Sequence, residues 1–492
     1  MAYKEIEYNH GVRIEERPTS LPAPAHGTSA FQVVVGISPV NLADDPYNAT
    51  NVVKLVRSFE EASAAVGYSG NLKDYNLNQS INATFLKFAV TPIALINVLD
   101  PTKHKSVVEK TPCKVEAMQA VVEIDGILLD TLSVEAGETK LQADRDYIAG
   151  FDSDGYVTIT LLENGSAGNV TELSVACDRI DPSKVTASDI IGGYDVATGR
   201  ESGLELVRQV YPSTGMVPGL ITSPGYSKDP AVAAVMVSKC LKINGVFTCE
   251  CIADLDSTPE GATRHLDVGD VKNRSGFASE HLEPVWPKVK IGEEVFYYSA
   301  IYSALIAHTD IGNDDVPTNT SNKALPITGL CLDDENNSEI VLDQVQGNTV
   351  NSFGVVTAVN LNGFKTWGNN SAAYPGTKDP KDRWFYCRRF FSWWGNSFIV
   401  NYYRKVDKLA DTRLIEGLCD EENIRGNSYV AQGKCAGAKI IYSKDDNPLS
   451  QILDGKIQFR QYLAPYTPAE DILNILEFDP TLLEAALSGG EA

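Results

Sequence analysis

No stretch of these 492 residues is apolar over the roughly 20 positions that a membrane-spanning helix needs. The opening residues, 1–7, carry no apolar signal segment, so synthesis and retention in a cytoplasm are expected. Basic residues are few, 42 Lys and Arg against 65 Asp and Glu, for a net charge of −23. That balance argues against nucleic-acid partners and anionic membranes, both of which select basic surface. It keeps free copies apart and soluble. The nine Cys, an odd number scattered from Cys113 to Cys435, suit reduced, packed thiols better than a disulfide framework. Only Cys249 and Cys251 are close, and no His accompanies them, so no metal site is expected. The chain has no phosphate-cradling Gly-rich loop ending in Lys, no Gly-x-Ser-x-Gly elbow and no His-Glu-x-x-His pair. Its six His are far apart. No catalytic residue and no cofactor follow from it.

What the chain does have is a strand-like run near each end. Gly11-Val12-Arg13-Ile14-Glu15-Glu16 alternates apolar with charged residues, and a Pro-rich hinge with Pro18, Pro22 and Pro24 follows. Near the other end, Ile457-Gln458-Phe459-Arg460-Gln461-Tyr462-Leu463 alternates in the same way. Period two asks for one buried face and for backbone partners on the strand edges. A lone strand satisfies neither need, so tethered terminal strands suit addition to another chain's sheet. Val12, Ile14, Ile457, Phe459 and Leu463 are therefore the candidate strand-exchange residues.

Between the ends, Phe31-Gln32-Val33-Val34-Val35-Gly36-Ile37 and Pro92-Ile93-Ala94-Leu95-Ile96-Asn97-Val98-Leu99 read as buried strands. Ser58 with Glu61 three residues later is a capping-box pattern, and residues 80–90 read as an amphipathic helix. Alternating strands and helices imply an α/β layer. From 102 to 183 the pattern changes to short alternating runs joined by turns, with Asp154-Gly155 as a hairpin signal. Asp152, Asp154 and Gly155 look faintly like a calcium loop, but the turn accounts for them.

The expected fold class is thus mixed α/β and multidomain: an α/β core layer, an inserted small all-β domain and strand-bearing terminal arms. The divisions are an N-terminal arm and hinge (1–30), the core (31–101 and 184–347), the inserted β domain (102–183), a C-terminal domain (348–454), and a C-terminal arm with terminal helices (455–492). In the last, Thr467-Pro468-Ala469-Glu470 has a helix-starting pattern, with Ile472, Leu473 and Leu476 as its apolar face. The dense run from Trp384 to Trp394 could stack on RNA bases. An acidic chain favours instead a core of rings, with Arg388 and Arg389 pairing carboxylates.

The order of several motifs resembles the contractile tail sheath family of bacteriophages and R-type bacteriocins. The residues are Gly11 to Glu16 with the Pro-rich stretch, Phe31 to Gly36, Leu55 to Glu61 with Gly67, and Val217-Pro218-Gly219-Leu220-Ile221-Thr222-Ser223-Pro224-Gly225. Pro284-Val285-Trp286-Pro287, Gly363-Phe364-Lys365-Thr366-Trp367-Gly368 and Trp384 to Arg389 continue the likeness. Asn369-Asn370 departs from the usual continuation. The resemblance implies a non-enzymatic subunit of a helical homo-oligomer of stacked rings. Its implied partners are the tail tube protein and the baseplate and tail terminator proteins. It implies a place in a virion tail or bacteriocin particle assembled in a host cytoplasm, with the inserted domain outermost. The alternative weighed beside it is a soluble binding or adhesin module using the inserted β domain.

Overall fold

Six strands form the central sheet of the computed structural model, which describes residues 25, 26, 28–168 and 170–487. In chain order they are β1 (Gln32–Gly36), β2 (Lys54–Val56), β3 (Ile93–Asn97), β4 (Leu220–Thr222), β5 (Glu250–Asp254) and β6 (Leu282–Val285). Their spatial order is β6-β5-β4-β1-β3-β2, parallel except for the antiparallel edge strand β2. Side chains leave a strand alternately to its two faces. Val34, Ile93 and Leu95 meet helices α1 (Phe59–Val66) and α2 (Asn76–Ile81), while Val33, Val35, Ala94 and Ile96 join the larger core. Near-continuous apolar runs are what burial on both faces demands.

Ser58 caps α1, its hydroxyl accepting the Glu61 N–H at 3.1 Å. The Glu61 carboxylate reaches back one residue further than in the usual box, to the Arg57 N–H at 2.7 Å. The expected amphipathic helix over 80–90 differs in kind. A helix begins at Asn76 and continues as a wider π turn over Asn82–Lys87, and its polar side is buried as well. Asn78 and Gln79 give their amides to the Ser69 and Leu72 carbonyls, so this polar face is spent on neighbouring loops instead of water.

A second core lies between residues 105 and 180. It is built from a four-stranded sheet and a three-stranded one around Val134, Tyr147, Val157, Ile159, Leu173 and Val175. The Asp152 carboxylate accepts the N–H groups of Asp154 and Tyr156 in the turn between two of its strands, Tyr147–Phe151 and Val157–Leu161. The body is completed by α3 (Tyr298–Ile311), and the C-terminal lobe by α4 (Phe385–Tyr402), α5 (Thr412–Ala431), β7 (Gly437–Tyr442) and β8 (Phe459–Ala464). The fold is mixed α/β and multidomain.

Candidate assembly interface

The aromatic run folds as the long helix α4, and its rings pack inward. Phe390 and Trp394 are fully buried; Trp393 packs tilted on Phe390 and Tyr429 edge-on to Trp394, each at 5.6 Å between ring centres. The two adjacent arginines find carboxylates inside the chain. Arg389 pairs with the buried Asp310, and Arg388 lies 3.4 Å from Asp382.

Glu422 on α5 organises the lobe. Although buried, its carboxylate accepts from Trp394 Nε1 (2.9 Å), Arg425 Nε (3.0 Å), Tyr402 Oη (3.2 Å) and Gln461 Nε2 (2.7 Å). Burial, reinforced by this carboxylate, pushes the Tyr402 phenol up to about 12. Gln461 lies on β8, so the contact fixes that strand's inward face to α5.

β7 and β8 form a two-stranded antiparallel sheet, with Ile440 opposite Gln461. On the far side of β7, the Asn423 amide both donates to the Ile440 carbonyl (3.1 Å) and accepts its N–H (3.0 Å). One side chain thus imitates a neighbouring strand. Gly426 permits this close approach, since a Cβ there would lie 2.8 Å from the Ala438 carbonyl oxygen. Because Ile440 bonds away from β8, Gln461 opposite it does not bond toward β7. The N–H and C=O groups of Phe459, Gln461 and Leu463 therefore line the outer edge of β8. Among the described residues that edge has no strand partner.

The segment after β8 is the most exposed apolar stretch of the described chain. Arg383, stacked on Trp384 at 3.8 Å, pairs with Glu470 at 2.8 Å and holds the start of the tail. Beyond it Ile472, Leu473, Ile475, Leu476 and Phe478 are 72–87% exposed. The helix expected from Thr467-Pro468-Ala469-Glu470 does not form. Residues 465–479 have no regular structure, and the terminal helix is Pro480–Leu487, started by Asp479, whose carboxylate accepts from Thr481. The helix starts instead at the next capping signal, Asp479-Pro480, which also sets Pro at the first helical position.

Phe459 and Leu463 lie half-buried on β8, and Ile457 just before it. Leu463 packs on the Phe390–Trp394 cluster. The C-terminal run read as needing another chain is bonded along one edge by β7 of its own chain. Val12, Ile14, Pro18, Pro22 and Pro24 lie outside the described residues. The open edge of β8 and the Asn423 clamp have no signal in the sequence. The apolar residues Ile472, Leu473 and Leu476, expected on a helix face, instead stand exposed on an irregular tail.

No protein-family model matches the chain. It is 22% identical over 478 residues to the tail sheath protein of Burkholderia phage BcepMu, covering 93% of this chain and 94% of that one. It is also 22% identical over 335 residues to the tail sheath protein of Escherichia phage P2, covering 65% and 76%. In fold it is similar to the sheath complex of an extracellular contractile injection system, PVC, in the contracted state (TM-score 0.57, 14% identity, 97% and 100% of the two chains). The helical sheath of the anti-feeding prophage in the contracted state is comparable (TM-score 0.55, 14% identity, 97% and 100%). None of these relatives is named for adhesion.

Proposed function

We propose that this chain, which belongs to the contractile tail sheath family, polymerises helically around a tail tube and contracts to drive that tube through a bacterial envelope. The observation that carries the residue-level reading is the open edge of β8 beside an exposed apolar tail. A two-stranded sheet is marginal alone and gains from a third strand. Extended segments added to a sheet edge supply directional backbone bonds, and their alternating side chains fix the register. In this reading the β8 edge receives a strand from a neighbouring copy, through the N-terminal run with Val12 and Ile14. The C-terminal segment offered in return is 471–478, while Ile457, Phe459 and Leu463 build the receiving edge. Pro18, Pro22 and Pro24 form the hinge that lets joined subunits change angle.

Contacts repeated by rotation and translation generate a helical array instead of a closed dimer. Contraction is then a passage from a kinetically trapped extended lattice to a wider, better-packed one. It is driven by small interface gains summed over many copies and needs no nucleotide. A requirement for ATP in contraction of purified tails would contradict this. The sequence divisions, with the 102–183 domain outermost, belong to the same proposal, as do tube, baseplate and terminator partners and a place in the particle's tail. Negative-stain electron microscopy of the concentrated protein tests the core claim. Long hollow striated tubes are expected, and discrete particles alone, even with tube and baseplate supplied, would sink it.

A further inference from the structure

The base of the N-terminal arm and the C-terminal lobe meet at one short segment, residues 310–316, where α3 ends. Thr28 gives its backbone N–H to both oxygens of the Asp315 carboxylate (2.9 and 3.0 Å) and its hydroxyl to Oδ2 (2.5 Å). Ser29 gives its N–H to Asp315 (2.9 Å) and its hydroxyl to Asp310 (2.9 Å). Asp310 is fully buried, is paired with Arg389 of α4 and accepts the Thr318 N–H at 3.1 Å. Asp314 and Asp315 both take left-handed backbone angles, φ of 58° and 59°, a conformation that Asp tolerates better than most residues.

The other side of the same turn holds the lobe that carries β7 and β8. Lys434, between α5 and β7, donates to Asn313 Oδ1 (2.9 Å) and pairs with Asp314 (2.7 Å). Val316 is buried among Phe390, Trp394 and Cys435. Hydrogen bonds to ionised groups are about twice as strong as neutral ones. The covalent route from Thr28 to β7 runs through the whole body. The route through Asp315, Asp314 and Lys434 crosses three side chains.

We propose that the 310–316 turn is a force-transmitting joint: it carries tension arriving through the donated arm at Thr28 across to the β7–β8 sheet that receives the neighbour's strand. The inference rests on the strand-exchange reading above. It identifies Asp315 and Lys434 as positioning residues that set the stiffness of each subunit in the array, outside the exchanged strands themselves.

The test uses full-length protein and severs the joint at either end. Asp315→Gly keeps the left-handed turn while removing the carboxylate, and Lys434→Met keeps the side-chain length while removing the charge. Amide hydrogen exchange on the monomer is read first. Asp315→Gly should speed exchange at Thr28 and Ser29 by about tenfold and leave β1 unchanged. Asp315→Asn should lie between it and the parent. Tubes of both severed variants should form, then dissociate in dilute denaturant about tenfold faster than the parent's. Parent-like durability in Asp315→Gly with Thr28 and Ser29 released, or in Lys434→Met, would overturn the joint. Durability lost in a variant whose monomer melts well below the parent would also count against it. A parent that forms no tubes would instead bring down the sheath reading, and the joint with it.

Discussion

In the central sheet, β1, β3, β4 and β5 are bonded on both edges, and even the end strand β6 has an occupied outer edge. There Val356 exchanges bonds with Pro284 and Trp286, and Ala372 donates to Leu282. In the C-terminal pair, β7 is closed by a single Asn side chain and β8 is left open. Strands β1 and β3 of the central sheet have five residues each and β7 and β8 six, all with apolar inward faces. The difference is what stands beside the last strand. Natural sheets usually blunt or cover an edge that could template pairing. A protein that covers the β6 end of its central sheet and leaves the β8 edge open, next to a tail of exposed Ile and Leu, keeps the strands of its core apart from a surface suited to association.

The sharpest way to break that separation is truncation after Ala464. Tube formation should be lost completely, while the thermal transition of the body stays within a few degrees of the parent by calorimetry. A body that no longer folds would show that the tail belongs to the monomer's own core. Next in size is Ile93→Ala in the central sheet. Ile93 is fully buried, and the loss should be about 2–5 kcal/mol by denaturant titration. Leu476→Ser in the tail should change the same titration by no more than about 0.5 kcal/mol while lowering the yield of tubes.

A buried charge in the body sharpens the contrast through pH. Lys272 is 4% exposed and gives its ammonium to the Phe353 and Tyr374 carbonyls at 2.6 and 2.7 Å. Burial lowers it to about 8, from an ordinary value of 10.5. Between those values the unfolded chain holds a proton that the folded one has lost. Stability therefore rises with pH across about 8 to 10.5, by up to about 3 kcal/mol. Urea titrations at both ends of that range, against Lys272→Met, should show the rise in the parent and a smaller one in the variant. An equal rise in both would assign it to other groups.

A local effect tests the clamp on β7. Asn423→Ala leaves the Ile440 N–H and C=O without their partner and should cost about 1–2 kcal/mol, seen as faster amide exchange at Ile440. An unchanged exchange rate would mean that the neighbouring backbone closes that edge without Asn423.

Much of the body could be read from local chemistry. Residues 33–35 and 93–96 are continuous in apolar side chains, so a strand buried on both faces was the economical reading. Ser58 started α1 as its hydroxyl and the spacing to Glu61 required. Period two was equally plain in 459–464. Two local patterns gave expectations that the structure corrects. Residues 80–90 read as an amphipathic helix, whereas the helix starts at Asn76 and its polar residues Asn78 and Gln79 bond to the nearby Ser69 and Leu72 carbonyls and to the distant Tyr297 N–H instead of water. Thr467-Pro468-Ala469-Glu470 carries a helix-start pattern, but the chain enters a helix only at Pro480.

The sequence by itself determined the alternation of strands and helices, the acidic charge balance and the period-two runs near both ends. These follow from spacing, charge and composition, which act over a few residues. Only the tertiary structure decided that β8 pairs with β7, that Asn423 closes one edge of that pair while the other stays open, and that Asp310 and Asp315 grip the base of the arm. Those outcomes depend on groups more than 10 and up to 287 residues apart being brought within hydrogen-bond distance, and such meetings leave no local trace.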